Sequence, residues 1–227
     1  MTAHIRSLPP AILCVGRNYA EHAKELGNEI PTHPLVFMKN PASVVGDGEA
    51  IAIPACCRDP GFGGPSQVDY EGELAVVLGR DARDVSEREA LAVVGGYAAA
   101  NDVSARWWQK SGSGGQFCRG KSFDTFCPIG AVKPAASVPD PQRLRLVTRL
   151  NGEVVQDEST ANMLFGVARL VSELSRGMTL LAGTVILTGT PAGVGAGRTP
   201  PRFLKDGDVV EVEITGVGRV RNAVRDH

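Results

Sequence analysis

The chain has 227 residues, of which 43% are hydrophobic and 22% charged, and its formal net charge is −1. This composition is typical of one globular domain with a full core, and it excludes the strongly basic surface by which many proteins bind nucleic acid or anionic membranes. Because the chain shows no long apolar run, no signal-peptide pattern and no C-x-x-C spacing among its five cysteines, we expect a reduced, cytoplasmic protein.

The first predicted elements are a strand at 12–15 and a short polar helix at 20–26. His22 and Glu25 lie three residues apart and therefore share one face of this helix. Two interpretations remain open: an exposed surface pair, or a general-base dyad in which the carboxylate orients the imidazole. Because Gly27 follows directly, the helix is also placed to move as a lid.

A β-prone run that begins at residue 69 carries carboxylates at every second position. Since side chains alternate across a strand, we expect Asp69, Glu71 and Glu73 to leave the same face. Carboxylates so close together are tolerated in open water, or around a hard cation such as Mg²⁺, Mn²⁺ or Ca²⁺. A second Glu-x-Glu, at Glu211 and Glu213, is interpreted as a solvated strand face.

Asp102 closes an apolar strand that begins near residue 93. A carboxylate in such a place is costly unless something pairs with it. A third metal ligand and an N-cap for the helix that starts at residue 104 are both consistent with its position. Between the acidic strand and Asp102, a helix is expected over 84–92, with Ser86 as its N-cap.

The second half of the chain is predicted to be rich in strands. Asn151-Gly152, between two β-prone runs, is the strongest hairpin signal in the sequence. A final hairpin is expected from 209–214 and 217–221. One helix with an apolar stripe is predicted over 162–174.

Glycine-rich segments at 111–115 and 190–197 lack the features of phosphate-binding loops. Neither has the GK[ST] sequence of a P-loop or the strand-to-helix context of a dinucleotide fingerprint. Nucleotide chemistry is therefore not expected. A further loop, at 55–68, is rich in glycine and proline and is predicted to lie at the surface.

Five motifs follow one another along residues 12–224. They are Cys14 to Tyr19 with His22 and Glu25, Tyr70 to Leu74, Asn101 to Arg106, Gly120 to Asp124, and Leu187 to Pro191. In order and spacing they resemble the fumarylacetoacetate hydrolase superfamily. The segment 197–207 is most similar to the branch named for fumarylacetoacetate hydrolase domain-containing protein 2.

The resemblance implies a fold and an assembly. The fold would be α+β and mainly β: a mixed β-sandwich or roll of the fumarylacetoacetase C-terminal-like type, with short peripheral helices. Residues 1–11 would form an N-terminal extension and 12–227 a single catalytic domain. The resemblance also implies a homodimer.

The resemblance further implies a metal site, a catalytic dyad and a set of substrate contacts. The metal would be Mg²⁺ or Mn²⁺, with Ca²⁺ as a further possibility. The implied residues are His22, Glu25 and Lys121 as catalytic groups, Glu71, Glu73 and Asp102 as metal ligands, and Arg17, Arg106, Gln109 and Thr190 as substrate contacts. The family often has an acidic residue after the arginine that matches Arg106, whereas this chain has Trp107, which predicts a more apolar pocket wall. The glycine-rich excursion at 59–66 is longer than in relatives.

The function implied first is metal-dependent hydrolysis of the C–C bond in acylpyruvate-like 2,4-dioxo acids, such as fumarylpyruvate, as used in aromatic catabolism. The main alternative is an oxaloacetate-type tautomerase or decarboxylase, or a 2-hydroxyhepta-2,4-diene-1,7-dioate-type isomerase, on the same site. All of these reactions share an enolate that a Lewis-acid metal stabilises. A non-catalytic protein that binds metal and a small 2-oxo acid is the second alternative.

Overall fold

Two mixed sheets form the framework of this computed structural model, which describes residues 8–58 and 66–227. The strands are β1 Ile12–Gly16, β2 Leu35–Lys39, β3 Val44–Val45, β4 Ile51–Ile53, β5 Val68–Asp69, β6 Gly72–Leu78, β7 Val94–Asn101, β8 Ser104–Ala105, β9 Cys127–Pro128, β10 Lys133–Pro134, β11 Arg145–Leu150, β12 Glu153–Ser159, β13 Val185–Leu187, β14 Val209–Ile214 and β15 Gly218–Asp226. The α-helices are α1 Ala20–Glu25, α2 Glu87–Ala90, α3 Arg106–Gln109, α4 Phe117–Lys121 and α5 Val167–Ser175.

The first sheet carries most of the predicted site. Its strand order is β10-β7-β6-β13-β1-β2, with β1 parallel to β13 and the other neighbours antiparallel. β6 and β7 pair with Gly72 opposite Asn101 and Glu73 opposite Ala100. This register places the start of β6 beside the end of β7, so residues 71–73 and Asp102 meet at one edge of the hairpin.

The second sheet has the order β12-β11-β14-β15-β4. The predicted hairpin at Asn151-Gly152 joins β11 to β12, and both turn residues have positive φ, 54° and 86°. Such φ values are those of the type I′ turn that Asn-Gly favours. The predicted final hairpin is also present as β14 and β15, and Glu211 and Glu213 pair with Arg149 on its outer face, as expected for a solvated strand.

The main core lies between the two sheets and is closed by α5. It includes Leu74 and Ile186 from the first sheet, Leu146 and Val212 from the second, and Leu170 from the helix, all fully buried. Burying such side chains is the dominant favourable contribution to folding. The prediction of a mainly-β α+β fold with short helices is confirmed.

Two predicted helices are shorter than the sequence pattern indicates. The helix expected over 84–92 is α2, 87–90, followed by one 3₁₀ turn, and Ser86 occupies the N-cap position without a side-chain cap. The helix expected from residue 162 begins at Val167, because the backbone N–H groups of residues 164 and 165 donate to Asn18 instead.

No helix in the described ranges is long and apolar enough to cross a bilayer. Most of the glycine-rich excursion at 59–66 lies outside the described residues.

Candidate active site

A cavity of about 480 Å³ opens where the first sheet meets the helix α3 and the loops after β1 and β13. Most of the residues that the resemblance implies for the site line it: Arg17, His22, Glu71, Glu73, Arg106, Gln109, Lys121 and Thr190. Asp102 and Glu25 lie directly behind this lining, where they bond to Lys121 and His22. The folded chain thus brings together residues that are widely separated in sequence.

Three buried carboxylates form a cluster at the floor of the cavity. Glu71, Glu73 and Asp102 each offer an oxygen within 4.8 Å of the others, and their exposed fractions are 5%, 1% and 0%. The β6–β7 register holds them together, and the Asp102 N–H donates to the Glu71 carbonyl oxygen at 2.8 Å. Asp102 is therefore part of the cluster and does not cap α3, whose N-cap position is held by Ala105. Its role as a metal ligand stays a prediction.

Asp69 does not join this cluster, although the alternation of the run groups it with Glu71 and Glu73. The regular alternation is interrupted because β5 ends at Asp69 and β6 begins only at Gly72. Gly72 itself is closely packed, since a Cβ atom there would lie 2.0 Å from the Thr148 hydroxyl oxygen. Asp69 turns instead toward Arg106, to which it is bonded through Nε and Nη2 at 2.9 and 2.7 Å.

Three buried cations bracket two of the cluster carboxylates. Lys121 Nζ donates to Glu71 Oε2 at 2.6 Å and to Asp102 Oδ2 at 2.7 Å. Arg106 Nη1 donates to the other Glu71 oxygen, and Lys39 Nζ donates to the other Asp102 oxygen, both at 2.6 Å. Burial of a charge is tolerated only with such pairing, and these bonds fix the orientation of both carboxylates.

Glu73 stands apart, because its one hydrogen-bond donor among the described residues is the Gly189 N–H, at 2.7 Å. Burial and the neighbouring Asp102 and Glu71 carboxylates raise the pKa of Glu73 well above its ordinary value. Burial has the same effect on Glu71, but Lys121 and Arg106 outweigh it and hold the pKa of Glu71 well below its usual range. Burial lowers the pKa of Lys121, and Asp102 and Glu71 more than reverse this, so Lys121 stays an ammonium.

The cluster suits a divalent cation. Carboxylate oxygens are hard ligands of the kind that Mg²⁺ and Mn²⁺ prefer. Together with Asp69, the site holds four buried carboxylates against Lys39, Arg106 and Lys121. With all four carboxylates ionised, the described residues would leave one negative charge in excess, and the raised pKa of Glu73 indicates that the metal-free site takes up a proton there instead. A cation at the cluster would displace this proton and supply the compensating charge.

His22 and Glu25 form the predicted pair, and it is not an exposed one. His22 Nδ1 lies 2.7 Å from Glu25 Oε1, and His22 is only 4% exposed. Glu25 Oε2 accepts the backbone N–H of Gly193 at 2.9 Å. The helix α1 is therefore attached to the 193–197 loop on the far side of the cavity. With Nδ1 bonded to Glu25, the second ring nitrogen, Nε2, is the one left for chemistry.

The predicted substrate contacts differ in the donors they have available. Arg17 has φ 57°, a strained conformation for a residue with a side chain, and no acceptor in the described chain bonds its guanidinium. Arg106 donates its N–H groups to Asp69, Glu71 and Gln109. Thr190 donates its hydroxyl to the Gly72 carbonyl oxygen at 2.9 Å. Their roles as substrate contacts stay predictions. Of the two arginines, Arg17 is the one whose guanidinium has no acceptor among the described residues.

Trp107 lines the cavity, as its place in the motif predicts, beside Phe37, Phe117 and Phe203. Its ring packs edge-on against Trp108, with centroids 4.8 Å apart. These aromatic side chains make part of the cavity lining apolar, and Phe37 lies against the charged floor, with its ring centroid 5.1 Å from Lys121 Nζ.

Sequence reasoning missed Lys39 and Asn18. Lys39 ends β2 on the same face as Phe37, and both are buried, so the period-two alternation of this strand could have indicated it. Asn18 donates to the carbonyl oxygens of Phe165 and Thr188, at 3.0 and 2.7 Å. These bonds hold the turn that carries Arg17, and no local pattern could have indicated such distant partners.

Comparison with known proteins places this geometry in a family. The family model described as fumarylacetoacetate (FAA) hydrolase C-terminal matches residues 11–225. Oxaloacetate tautomerase YisK of Bacillus subtilis (strain 168) is 44% identical over 216 residues, 94% of this chain and 69% of that protein. Human oxaloacetate tautomerase FAHD2A, mitochondrial, is 43% identical over 217 residues, covering 95% of this chain and 67% of that protein.

A solved structure, the fumarylacetoacetate hydrolase EaFAH from psychrophilic Exiguobacterium antarcticum, superposes with a TM-score of 0.84 at 44% identity. The match covers 97% of this chain and 76% of that one. The model match spans nearly all of the chain, and the similarity to the FAHD2 branch agrees with the resemblance found in the sequence. This chain belongs to the fumarylacetoacetate hydrolase family.

Proposed function

We propose that this protein is a divalent-metal-dependent tautomerase that interconverts the keto and enol forms of oxaloacetate-like 2-oxo acids. The observation that carries the proposal is the buried His22–Glu25 pair, which faces the same cavity as Glu71 and Glu73. The names of two relatives, both oxaloacetate tautomerases, support this reaction over the hydrolysis that the resemblance implied first.

Glu71, Glu73 and Asp102 are the residues that would hold the cation, for which Mg²⁺ and Mn²⁺ are the fitting candidates. When bound, the cation would supply Lewis-acid stabilisation of the negative charge on the enolate oxygen. Lys121 and Arg106 keep Glu71 ionised and fixed in orientation. Lys121 has a third N–H beyond its two carboxylate bonds, and this donor is available to a substrate oxygen.

His22 would carry the proton. Because Glu25 holds Nδ1 as a donor, Nε2 has the free lone pair that can accept a proton from C3 of the keto acid. Returning that proton to the 2-oxo oxygen gives the enol. The burial of His22 excludes bulk water from the transfer. Arg17, a cation that lines the cavity and whose guanidinium has no partner within the described residues, would hold a substrate carboxylate.

C–C hydrolysis of acylpyruvates is a second candidate. The same dyad can take a proton from water instead of from C3, and the solved neighbour carries hydrolase in its name. The apolar wall around Trp107 would accept an acyl group. Both reactions need the same enolate stabilisation, so the substrate and not the residue set decides between them.

The test is a substrate panel with the Mn²⁺-loaded protein. Oxaloacetate, fumarylpyruvate and a simple acylpyruvate are followed by enol absorbance and, separately, by release of pyruvate. We expect fast exchange of the oxaloacetate enol without pyruvate release. Pyruvate from acylpyruvates at a higher kcat/KM would favour hydrolysis, and pyruvate from oxaloacetate would favour decarboxylation. Binding of the acids without any turnover would favour a non-catalytic binding protein.

A further inference from the structure

Asp69 does not line the cavity, yet its carboxylate accepts five hydrogen bonds. It is 0% exposed. Its Oδ1 accepts the N–H groups of Tyr70 and Gly195 at 2.9 and 2.8 Å. Its Oδ2 accepts Nε and Nη2 of Arg106, and also the Ala196 N–H at 2.9 Å. One side chain thus joins β5, the helix α3 and the loop after β13.

On one side, these bonds lead to the carboxylate cluster. Asp69 fixes the plane of the Arg106 guanidinium, and the Nη1 atom of that guanidinium donates to Glu71 Oε1 at 2.6 Å and to Gln109 Oε1 at 3.1 Å. A guanidinium is rigid and planar, so an orientation set at Nε and Nη2 is transmitted to Nη1. Asp69 therefore sets the position of Glu71 through Arg106.

On the other side, the bonds lead to the dyad. Asp69 holds the 195–196 backbone, and the same loop gives the Gly193 N–H to Glu25 Oε2. The loop also approaches Glu25 closely at Gly197, where a Cβ atom would lie 2.6 Å from Oε2. The loop is therefore held between two carboxylates, Asp69 below and Glu25 on the helix α1.

We propose that Asp69 is a positioning residue, which fixes the His22–Glu25 dyad relative to Glu71 from outside the cavity. The inference rests on the proposed function only for its kinetic readout. Asp69→Asn keeps one acceptor but turns an amide N–H₂ toward N–H donors, so it should release either the guanidinium or the loop. Loss of a supporting partner of this kind costs ~10-fold to ~100-fold in metal affinity or activity.

The experiment measures Mn²⁺ affinity by calorimetry, amide exchange of the metal-free protein, and kcat. For Asp69→Asn we expect Mn²⁺ affinity ~10-fold weaker, kcat ~10-fold to ~100-fold lower, and faster exchange at residues 193–197 and in α1. Asp157→Asn is the chemically matched control, because Asp157 also bonds one arginine through two N–H groups but lies exposed on β12. Val171→Ala, in the core, controls for general loss of stability.

A double-mutant cycle with Glu25→Gln tests the shared loop. If both carboxylates act through it, the double variant should lose less activity than the product of the two single losses. Wild-type Mn²⁺ affinity and loop exchange in Asp69→Asn would overturn the proposal, as would equal effects in Val171→Ala. If Asp69→Asn does not fold, Asp69→Glu replaces it, since it keeps the charge but moves the carboxylate away from its five N–H donors. The calorimetric and exchange results hold even if no 2-oxo acid is turned over, so the two proposals fail separately.

Discussion

Glu73 has the least compensated charge of the three cluster carboxylates. Glu71 and Asp102 each bond two cations, whereas Glu73 accepts one backbone N–H among the described residues. A cation at the cluster would therefore interact most strongly with Glu73.

Glu73→Gln should weaken Mn²⁺ binding by about 10-fold or more, in line with the sensitivity of metal sites to their ligands and supporting partners. The amide keeps the shape and the Gly189 contact but removes the charge. Calorimetric titration measures the change. Glu211→Gln, on the outer face of β14, is the control and should leave the affinity unaltered. Equal affinities for Glu73→Gln and wild type would remove Glu73 from the ligand set.

His22→Ala should lower the rate of enol exchange ~100-fold to ~10,000-fold, the usual contribution of a general base. Mn²⁺ affinity should stay near the wild-type value, because the carboxylates and their cations are built from other residues. Stopped-flow enol absorbance gives the rate and calorimetry the affinity. A His22→Ala protein of wild-type activity would show that the dyad is a structural pair.

At the scale of single residues, the sequence predicted which side chains lie together where a motif and a strand period agreed. Glu71, Glu73 and Asp102 lie together as the resemblance implied. Asp69 was grouped with Glu71 and Glu73 by an alternation that is interrupted, because β5 ends at Asp69 and β6 begins at Gly72. Gly72 also packs closely against Thr148 in the other sheet, and a local pattern does not contain such a contact.

At the scale of elements, the helix α1 is a small unit with few attachments. Its buried side chains are His22 and Ala23, and Gly27 follows with φ 66°. Apart from the packing of these two, the Glu25 contact with Gly193 is what attaches it to the opposite loop. A segment of this kind is expected to open at a low cost in free energy.

Residues 18–28 should exchange amide hydrogens quickly in the free protein and slowly with Mn²⁺ and oxalate, a mimic of the pyruvate enolate. The ligand favours the closed helix, and closure protects the N–H groups. Hydrogen exchange followed by mass spectrometry measures this, with α5 as the internal reference that should not change. Equal protection of 18–28 in both states would contradict a lid.

The lengths of elements were predicted less well than their order. The Asn151-Gly152 hairpin follows from local turn chemistry and forms as expected. The helix α5 starts later than its apolar period suggests, because Asn18 captures the N–H of Phe165 across the fold. Periodicity reports which face is buried and contains no information about such tertiary competition.

At the scale of the whole molecule, the site makes stability depend on pH. The raised pKa of Glu73 means that the folded, metal-free protein keeps a proton that the unfolded chain, with a Glu pKa of ~4.3, releases. This contribution is fully present below ~4.3 and is lost as pH rises through the raised value. The depressed pKa of Glu71 acts in the opposite sense, and its contribution is lost only in strong acid.

The increase in Tm on adding Mn²⁺ should therefore grow as pH rises, because Mn²⁺ takes the place of the proton on Glu73. Scanning calorimetry with and without Mn²⁺ at several pH values measures it. In Glu73→Gln the increase should be smaller and should depend less on pH. A wild-type increase that is constant with pH would contradict the assignment of the excess charge to Glu73.

The balance of charges also sets the order in which the cation and the acid bind. Without a cation, the proton that Glu73 keeps balances the four carboxylates against Lys39, Arg106 and Lys121, so the cluster itself carries no net charge to attract a diacid. A divalent cation that displaces this proton leaves the cluster with a net positive charge. The cation should therefore load first and the acid second. A chelator could then remove the metal from the free enzyme but not from the enzyme whose cavity the acid has closed.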